Sequence, residues 1–304
     1  MDTLVNLQAF VTVAETGSFS EAARRAGLAP SVIAKRIDQL EWRIRAPLFI
    51  RTTRKLTLTD VGERYLPELR HLVRQMEDTL NGMARADGEL EGHIRIKIPT
   101  TLGVLYLGDM LNRFLQEQPR ISMEVVLADR SVNPMEEGFD LAIGARPESY
   151  GQVQDLPLSP IRRHLCAAPA YLARKGWPES PADLLAHDCL VLATTGTRWE
   201  LQGPQGLVGV DVRPKLRSND GMALHAAARA GQGIALLADY LVEPDLRSGD
   251  LQEVLPEMRL PALWLKALVP VNRIDLPRIQ ALLLWLRQQL GETPPWARQV
   301  AIGA

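Results

Sequence analysis

The most constraining feature of this chain lies in its first forty residues, where two short amphipathic segments end in glycines and a proline leads the third. Leu4, Leu7, Phe10, Val11 and Ala14 recur at helical spacing, and Gly17 stops the pattern, which predicts a first helix over 4–16. Ser18 and Ser20 can cap a second helix, Ser20 to Ala26, that ends at Gly27, a position suited to a left-handed turn. Pro30 and Ser31 open a third helix, since proline is tolerated in a first turn. It is expected to carry Val32, Ile33, Ile37 and Leu40 inward and Lys35, Arg36 and Gln39 outward. Two short helices joined by a glycine-containing turn form a helix-turn-helix, a geometry that places the second helix in a major groove.

The tract Leu48 to Leu58 reads as a β-hairpin with Phe49, Leu56 and Leu58 buried and Arg51, Thr52, Thr53, Arg54 and Lys55 at its tip. A basic hairpin beside a recognition helix is a wing, placed to lie along phosphates or in the minor groove. The whole chain has a net charge of -1, which hides an asymmetry. Residues 1–59 hold nine basic side chains against five acidic ones, so a positive module is joined to a negative remainder. From Asp60 the pattern becomes one long helix, opened by Asp60-Val61-Gly62-Glu63 and running to Ala86 or Asp87. Its stripe of Tyr65, Leu69, Leu72, Met76, Leu80 and Met83 suits a partner helix from a second subunit, and Pro67 falls early in it.

Asp87, Gly88 and Gly92 mark a linker, after which strands and helices alternate. Strands are expected at 94–98, 122–127, 141–145, 165–168, 190–193, 234–237 and 263–269, and helices at 102–117, 220–230 and 275–290. Such alternation means an α/β fold with mainly parallel sheets. Cys166 and Cys189 stand far apart and outside any CxxC pair, so buried free thiols are expected in place of a disulfide or zinc site. The acidic start MDTLVNLQAF lacks a signal peptide's basic region, and no apolar run reaches a membrane span, so a cytoplasmic protein without a membrane partner is expected. The five histidines show no paired metal spacing. Neither GxSxG, nor a P-loop, nor a Rossmann glycine run is present, so no enzyme, metal or cofactor is expected.

The N-terminal module resembles the LysR-type transcriptional regulators. The resemblance is carried by Phe10-Val11-Thr12-Val13-Ala14-Glu15-Thr16-Gly17-Ser18-Phe19-Ser20-Glu21-Ala22-Ala23, by Ile37-Asp38-Gln39-Leu40-Glu41, by Pro47-Leu48-Phe49, by Arg51-Thr52-Thr53-Arg54 and by Leu58-Thr59-Asp60-Val61-Gly62. It continues more loosely through Phe139-Asp140-Leu141-Ala142-Ile143, Ala168-Pro169-Ala170-Tyr171-Leu172, His187-Asp188-Cys189-Leu190 and the stretch Gly231 to Leu237. The resemblance implies an α+β multidomain chain with three parts. These are a winged helix-turn-helix at 1–59, a dimerising linker helix at 60–88, and a C-terminal α/β two-lobed periplasmic-binding-protein-like effector domain. The lobes would be 89–162 plus 267–304 and 163–266, with crossings near Pro160 to Arg163 and Leu265 to Leu268.

The implied function is a DNA-binding transcription regulator controlled by a small-molecule effector, an anion of the small-carboxylate kind, held between the lobes. Partners would be double-stranded DNA, a second copy through the linker helix, a tetramer of such copies, and RNA polymerase. The DNA-facing residues would be Ser20, Pro30, Ser31, Val32, Ala34, Lys35, Arg36, Arg51, Thr52, Thr53 and Arg54. Effector residues would be Thr100, Thr101, Leu102, Gly144, Arg146, Thr194, Thr195, Ser218 and Asn219, several at turns where backbone N–H groups favour an anion. Three departures from the family stand out: Ala29-Pro30-Ser31 replaces its usual hydroxyl, glutamine and proline or serine; Ala34 replaces a common serine; and Gly144 occupies an arginine position, with Arg146 two residues later. Proline offers no side-chain group to a base edge, which weakens the carry-over of the family's base contacts and leaves the sequence preference open. The alternative is a cytoplasmic small-molecule-binding protein of solute-binding fold with no DNA role.

Overall fold

The computed structural model describes residues 3–51, 56–83, 90–145, 149–204, 206–261, 263–291 and 293–297. Thr52, Thr53, Arg54 and Arg146, four of the expected contact residues, lie outside them, as does the expected end of the long helix beyond residue 83. The chain forms two compact units, divided near residue 90.

The first unit runs α1 (Thr3–Thr16), α2 (Phe19–Ala26), α3 (Pro30–Ile44), β1 (Phe49–Arg51), β2 (Leu56–Leu58) and α4 (Asp60–Met83). Ser18, in extended conformation, caps α2 by accepting from the Glu21 N–H, so the helix starts one residue before the expected Ser20. Gly27 closes α2 at φ 65°, and Leu28 N–H returns to the Ala23 carbonyl at 2.9 Å, which turns the chain sharply into α3. The core collects Phe10, Val13, Ala22, Ala23, Ile33, Ile37, Leu40, Leu48 and Phe49. Glu41 ties the hairpin to α3: its Oε1 accepts from Leu48 N–H at 2.7 Å and Phe49 N–H at 3.2 Å. β1 and β2 pair antiparallel from Phe49↔Leu58 to Arg51↔Leu56.

The cap of α4 is Thr59, whose hydroxyl accepts from Gly62 N–H at 3.1 Å and donates to the Pro47 carbonyl at 2.7 Å. A Cβ on Gly62 would stand 2.5 Å from the Leu48 carbonyl oxygen, so only glycine permits this approach of α4 to the hairpin. The apolar stripe of α4 divides. Leu66 and Leu69 pack on the unit's own core beside buried Val73, whereas Tyr65, Leu72, Met76 and Leu80 are exposed. Leu69, expected on the outward stripe, therefore belongs to the inward row, because positions 66, 69 and 73 share one side of a 3.6-residue helix.

The second unit contains two five-stranded sheets. β3 (Gly92–Ile98) leads into a helical run made of α5 (Thr100–Leu102), a π-helical turn at Gly103–Leu107 and α6 (Gly108–Glu117), and then into β4 (Ile121–Leu127), β5 (Leu141–Gly144) and β6 (Val153–Ile161). After Arg162 come β7 (Arg163–Ala167), α7 (Pro169–Lys175), a 3-10 turn at Pro181–Ala186, β8 (Cys189–Leu192), the hairpin β9 (Arg198–Gly203) and β10 (Gly206–Asp211), β11 (Pro214–Ser218), α8 (Gly221–Arg229), β12 (Ile234–Ala238), α9 (Asp239–Ser248) and β13 (Gln252–Glu253). β14 (Leu263–Pro270) and α10 (Pro277–Leu290) follow.

Sheet one has the order β4-β3-β5-β14-β6 and sheet two β11-β8-β12-β7-β13. Each has a parallel core, and the strand by which the chain enters from the other sheet runs antiparallel to it: β14 against β5 in sheet one, β7 against β12 in sheet two. The sheets are thus mixed and not mainly parallel, since a chain that leaves and re-enters each lobe must run back along it. β14 pairs with β6 from Leu263↔Ile161 to Pro270↔Val153, so it lies wholly in sheet one. The return crossing consequently precedes Leu263 and does not fall at Leu265 to Leu268; residues 263–266 join lobe one. β6 escapes sequence detection because Pro157 and Pro160 interrupt it, and it is tolerated as the sheet's edge strand.

Candidate DNA-reading face and effector cleft

On the first unit, Ile33, Ile37 and Leu40 turn into the core, which leaves Ser31, Val32 and Lys35 exposed on the opposite side of α3, with Pro30 at its start and Ser20 exposed on α2. Val32 was expected inward; it stands 100° around the helix from Ile33, and only one of the two can face the core. Ala34 and Arg36 are half-buried. Gln39 accepts from Asn6 Nδ2 at 3.3 Å and so is tied to α1. Arg51 is heavily engaged: Nη2 lies 2.7 Å from Asp38 Oδ1 and 3.4 Å from Glu41 Oε2, and the guanidinium sits 4.8 Å from the Phe19 ring centroid. Lys35 has no ion pair among the described residues.

On the second unit a cavity of about 620 Å³ opens between the lobes. It brings together Thr101, Leu102 and Gly144 of lobe one with Thr194, Thr195 and Asn219 of lobe two. Thr100 and Ser218 do not line it. Thr100 N–H donates to Asp129 Oδ1 at 3.0 Å, and Ser218 Oγ accepts from Asp220 N–H at 3.1 Å, so both belong to helix-entry turns. Thr195 hydroxyl donates to the Leu192 carbonyl at 3.1 Å.

Charged and phenolic groups not expected from the sequence also line the cavity: Lys97, Asp129, Arg163, Arg198, Glu200 and Tyr240. Lys97 is buried on β3, its Nζ donating to the Ile143 carbonyl at 3.5 Å. The alternation of Ile94, Ile96 and Ile98 signals that Lys97 occupies the other face, a cue available in the sequence. Arg163 follows the first crossing, and its Nη2 donates to the Pro261 carbonyl at 3.0 Å beside the second. Burial lowers its pKa while nearby Glu200 raises it. Burial likewise pushes the Tyr240 hydroxyl up to about 12, helped by Asp129, Asp239 and Asp220, so it stays a neutral donor. No group of three or more His, Cys, Asp or Glu side chains among the described residues could hold a metal.

This combination of a winged three-helix reader and a two-lobed binding unit matches known proteins along nearly the whole chain. Residues 4–63 match the bacterial regulatory helix-turn-helix protein, lysR family, and residues 87–291 match the LysR substrate binding domain. The chain belongs to the LysR family of transcriptional regulators. The HTH-type transcriptional activator TtdR of Escherichia coli K12 is 31% identical over 293 residues, covering 94% of each chain. An uncharacterized HTH-type transcriptional regulator of Haemophilus influenzae is 29% identical, covering 91% of this chain and 96% of its own.

Among solved structures, CrgA, a LysR-type regulator from Neisseria meningitidis, superposes with a TM-score of 0.61 at 26% identity, covering 95% of this chain and 99% of its own. AphB, the virulence activator of Vibrio cholerae, superposes with a TM-score of 0.61 at 24% identity, covering 93% and 98%, a likeness of fold. The protein is therefore a DNA-binding transcription regulator with an effector-binding domain, in a family of oligomers, and not an enzyme. Among the described residues no helix is long and apolar enough to cross a membrane.

Proposed function

We propose that this regulator works in the cytoplasm as a homodimer joined through α4, and as a tetramer made of two such dimers, binding paired half-sites near its target gene and contacting RNA polymerase there. The reader would be residues 1–59 and the dimerising helix 60–88. Lobe one would be 89–162 together with the segment from 263 onward, and lobe two the stretch between. Ser31 and Val32, with Ser20 and Pro30 beside them, would face the major groove; Lys35 would touch the phosphates at its edge, Ala34 and Arg36 would flank it, and the hairpin with Arg51, Thr52, Thr53 and Arg54 would follow the backbone. The exposed Tyr65, Leu72, Met76 and Leu80 support the pairing of α4 with a second copy.

A small carboxylate would bind between the lobes. The observation that carries this is the convergence of Thr101, Thr194, Thr195 and Asn219 from both lobes on one cavity with Lys97 and Arg163. Such an effector moves the DNA-bound form only by its differential affinity for two arrangements of the subunits. The test is a mobility-shift assay on the DNA upstream of the protein's own gene at low salt. Binding is expected, and Lys35→Ala is expected to weaken specific and random duplexes alike and reduce the salt slope by about one. No shift for the intact protein would reject the assignment.

A further inference from the structure

Arg163 begins β7 directly after the outgoing crossover, lines the cleft, and bonds the Pro261 carbonyl at 3.0 Å on the returning one, so one guanidinium spans both connections between the lobes. Its Nε–H is buried and has no acceptor among the described residues. A buried N–H of a charged group is unfavourable until an acceptor arrives. Ile161, Trp199, Leu236, Leu263 and Leu265 line the same cavity, which at about 620 Å³ is far larger than an acid of two or three carbons fills.

We propose that the effector is an organic acid with an apolar body, and that Arg163 receives its carboxylate. The inference rests on the assignment of the cleft as the effector site and deepens it. Nε and a neighbouring Nη of a guanidinium form a planar fork that matches two carboxylate oxygens. Because Nη2 already holds Pro261, an acid taken up at Nε acts on the contact that joins the two crossovers, and binding reaches the hinge in one step. Of the carboxylates lining the cavity, Glu200 acts on Arg163 through its charge but makes no ion pair with it among the described residues. Asp129 accepts from Thr100 N–H, and Glu200 is exposed.

The experiment uses the full chain and three probes: benzoate, its neutral isostere benzamide, and acetate. Thermal unfolding is followed for the wild type, Arg163→Met, Arg163→Lys and Asn219→Ala, with hydrogen exchange read at residues 260–265. Benzoate at about ten times its Kd is expected to raise the wild-type Tm by about 3 °C, well beyond either other probe. It is also expected to change exchange at 260–265. Arg163→Met should abolish both responses. Arg163→Lys, which keeps the charge without the fork and guards against a folding failure, should weaken benzoate at least tenfold.

A full benzoate response in both Arg163 variants, with loss in Asn219→Ala, would overturn the role of Arg163 and leave the cleft assignment standing. A response to benzamide equal to that to benzoate would overturn the acid. Acetate matching benzoate would overturn the apolar body. No response of the wild type to any carboxylate would overturn the cleft assignment and this inference together.

Discussion

Arg51 of the hairpin lies 2.7 Å from Asp38 of the recognition helix, with its guanidinium over the Phe19 ring. A basic residue that the sequence marks as a phosphate contact is thus shared with an acid on the DNA-facing unit. Both side chains are substantially exposed, so the pair contributes at most about 1 kcal/mol to folding. Its effect on DNA is larger. Asp38→Asn is expected to release Arg51 and remove one negative charge, tightening duplex binding several-fold and steepening its salt dependence by up to about one unit. Fluorescence anisotropy across a salt series measures both, and weaker binding by the variant would contradict the account.

Lobe one contains a buried ion pair, Arg273 Nε at 3.4 Å from Asp140 Oδ1, while Asp140 Oδ2 accepts from Arg95 N–H at 2.7 Å. Removing one partner leaves the other charge buried. Asp140→Asn or Arg273→Met is therefore expected to cost about 3–5 kcal/mol in denaturant unfolding of the protein, and the double substitution less than the two singles combined. Additive losses would show that the two groups do not act as a pair.

His187 makes lobe two sensitive to acid. The Tyr171 hydroxyl accepts from Asp188 N–H at 2.9 Å, so its own proton goes to His187 Nδ1 at 3.1 Å, and the imidazole is an acceptor there only when neutral. Burial lowers its pKa below the ordinary 6.5. The folded state then binds this proton less readily than the unfolded chain. Stability from the neutral ring is complete above 6.5 and is lost as pH falls from there through the lowered folded value. His187→Gln is expected to flatten the decline in Tm between about pH 7 and 5. An unchanged slope would place the acid sensitivity elsewhere.

Both thiols, Cys166 and Cys189, are buried, and burial pushes each up to about 12. The thiolate is the reactive form, so neither is poised for oxidation or exchange. A colourless-to-yellow thiol reagent at pH 8 is expected to titrate no cysteine in the native protein and two after unfolding. Brief exposure to hydrogen peroxide should leave DNA binding unchanged. Rapid labelling of the native chain would refute this.

The sequence was most legible where local chemistry decides the outcome. Ser18 specifies the start of α2, and Gly27 and Pro30 the turn between α2 and α3, because a cap, a left-handed residue and a proline each admit few backbone conformations. The alternation around Ile94, Ile96 and Ile98 announces a strand for the same reason. Legibility failed where two faces compete for burial, as with Val32 and Leu69, and where a strand lacks the usual composition, as with the proline-bearing β6. In the cleft, turn residues such as Thr101 and Asn219 were visible as helix-entry signals, but so were Thr100 and Ser218, which do not line the cavity: Thr100 N–H donates to Asp129, and Ser218 Oγ accepts from Asp220 N–H.

By itself the sequence determined the order of the modules, the three-helix reader, and the positive charge gathered on residues 1–59, all properties of neighbouring residues. Only the tertiary structure decided that β14 returns to lobe one from Leu263, that Asp38 and Glu41 hold Arg51, and that Arg163 stands between both crossings inside the cleft. Those relations join residues 10 to about 100 positions apart, and no periodicity along a chain records which strand or carboxylate will lie alongside once the apolar faces have been buried.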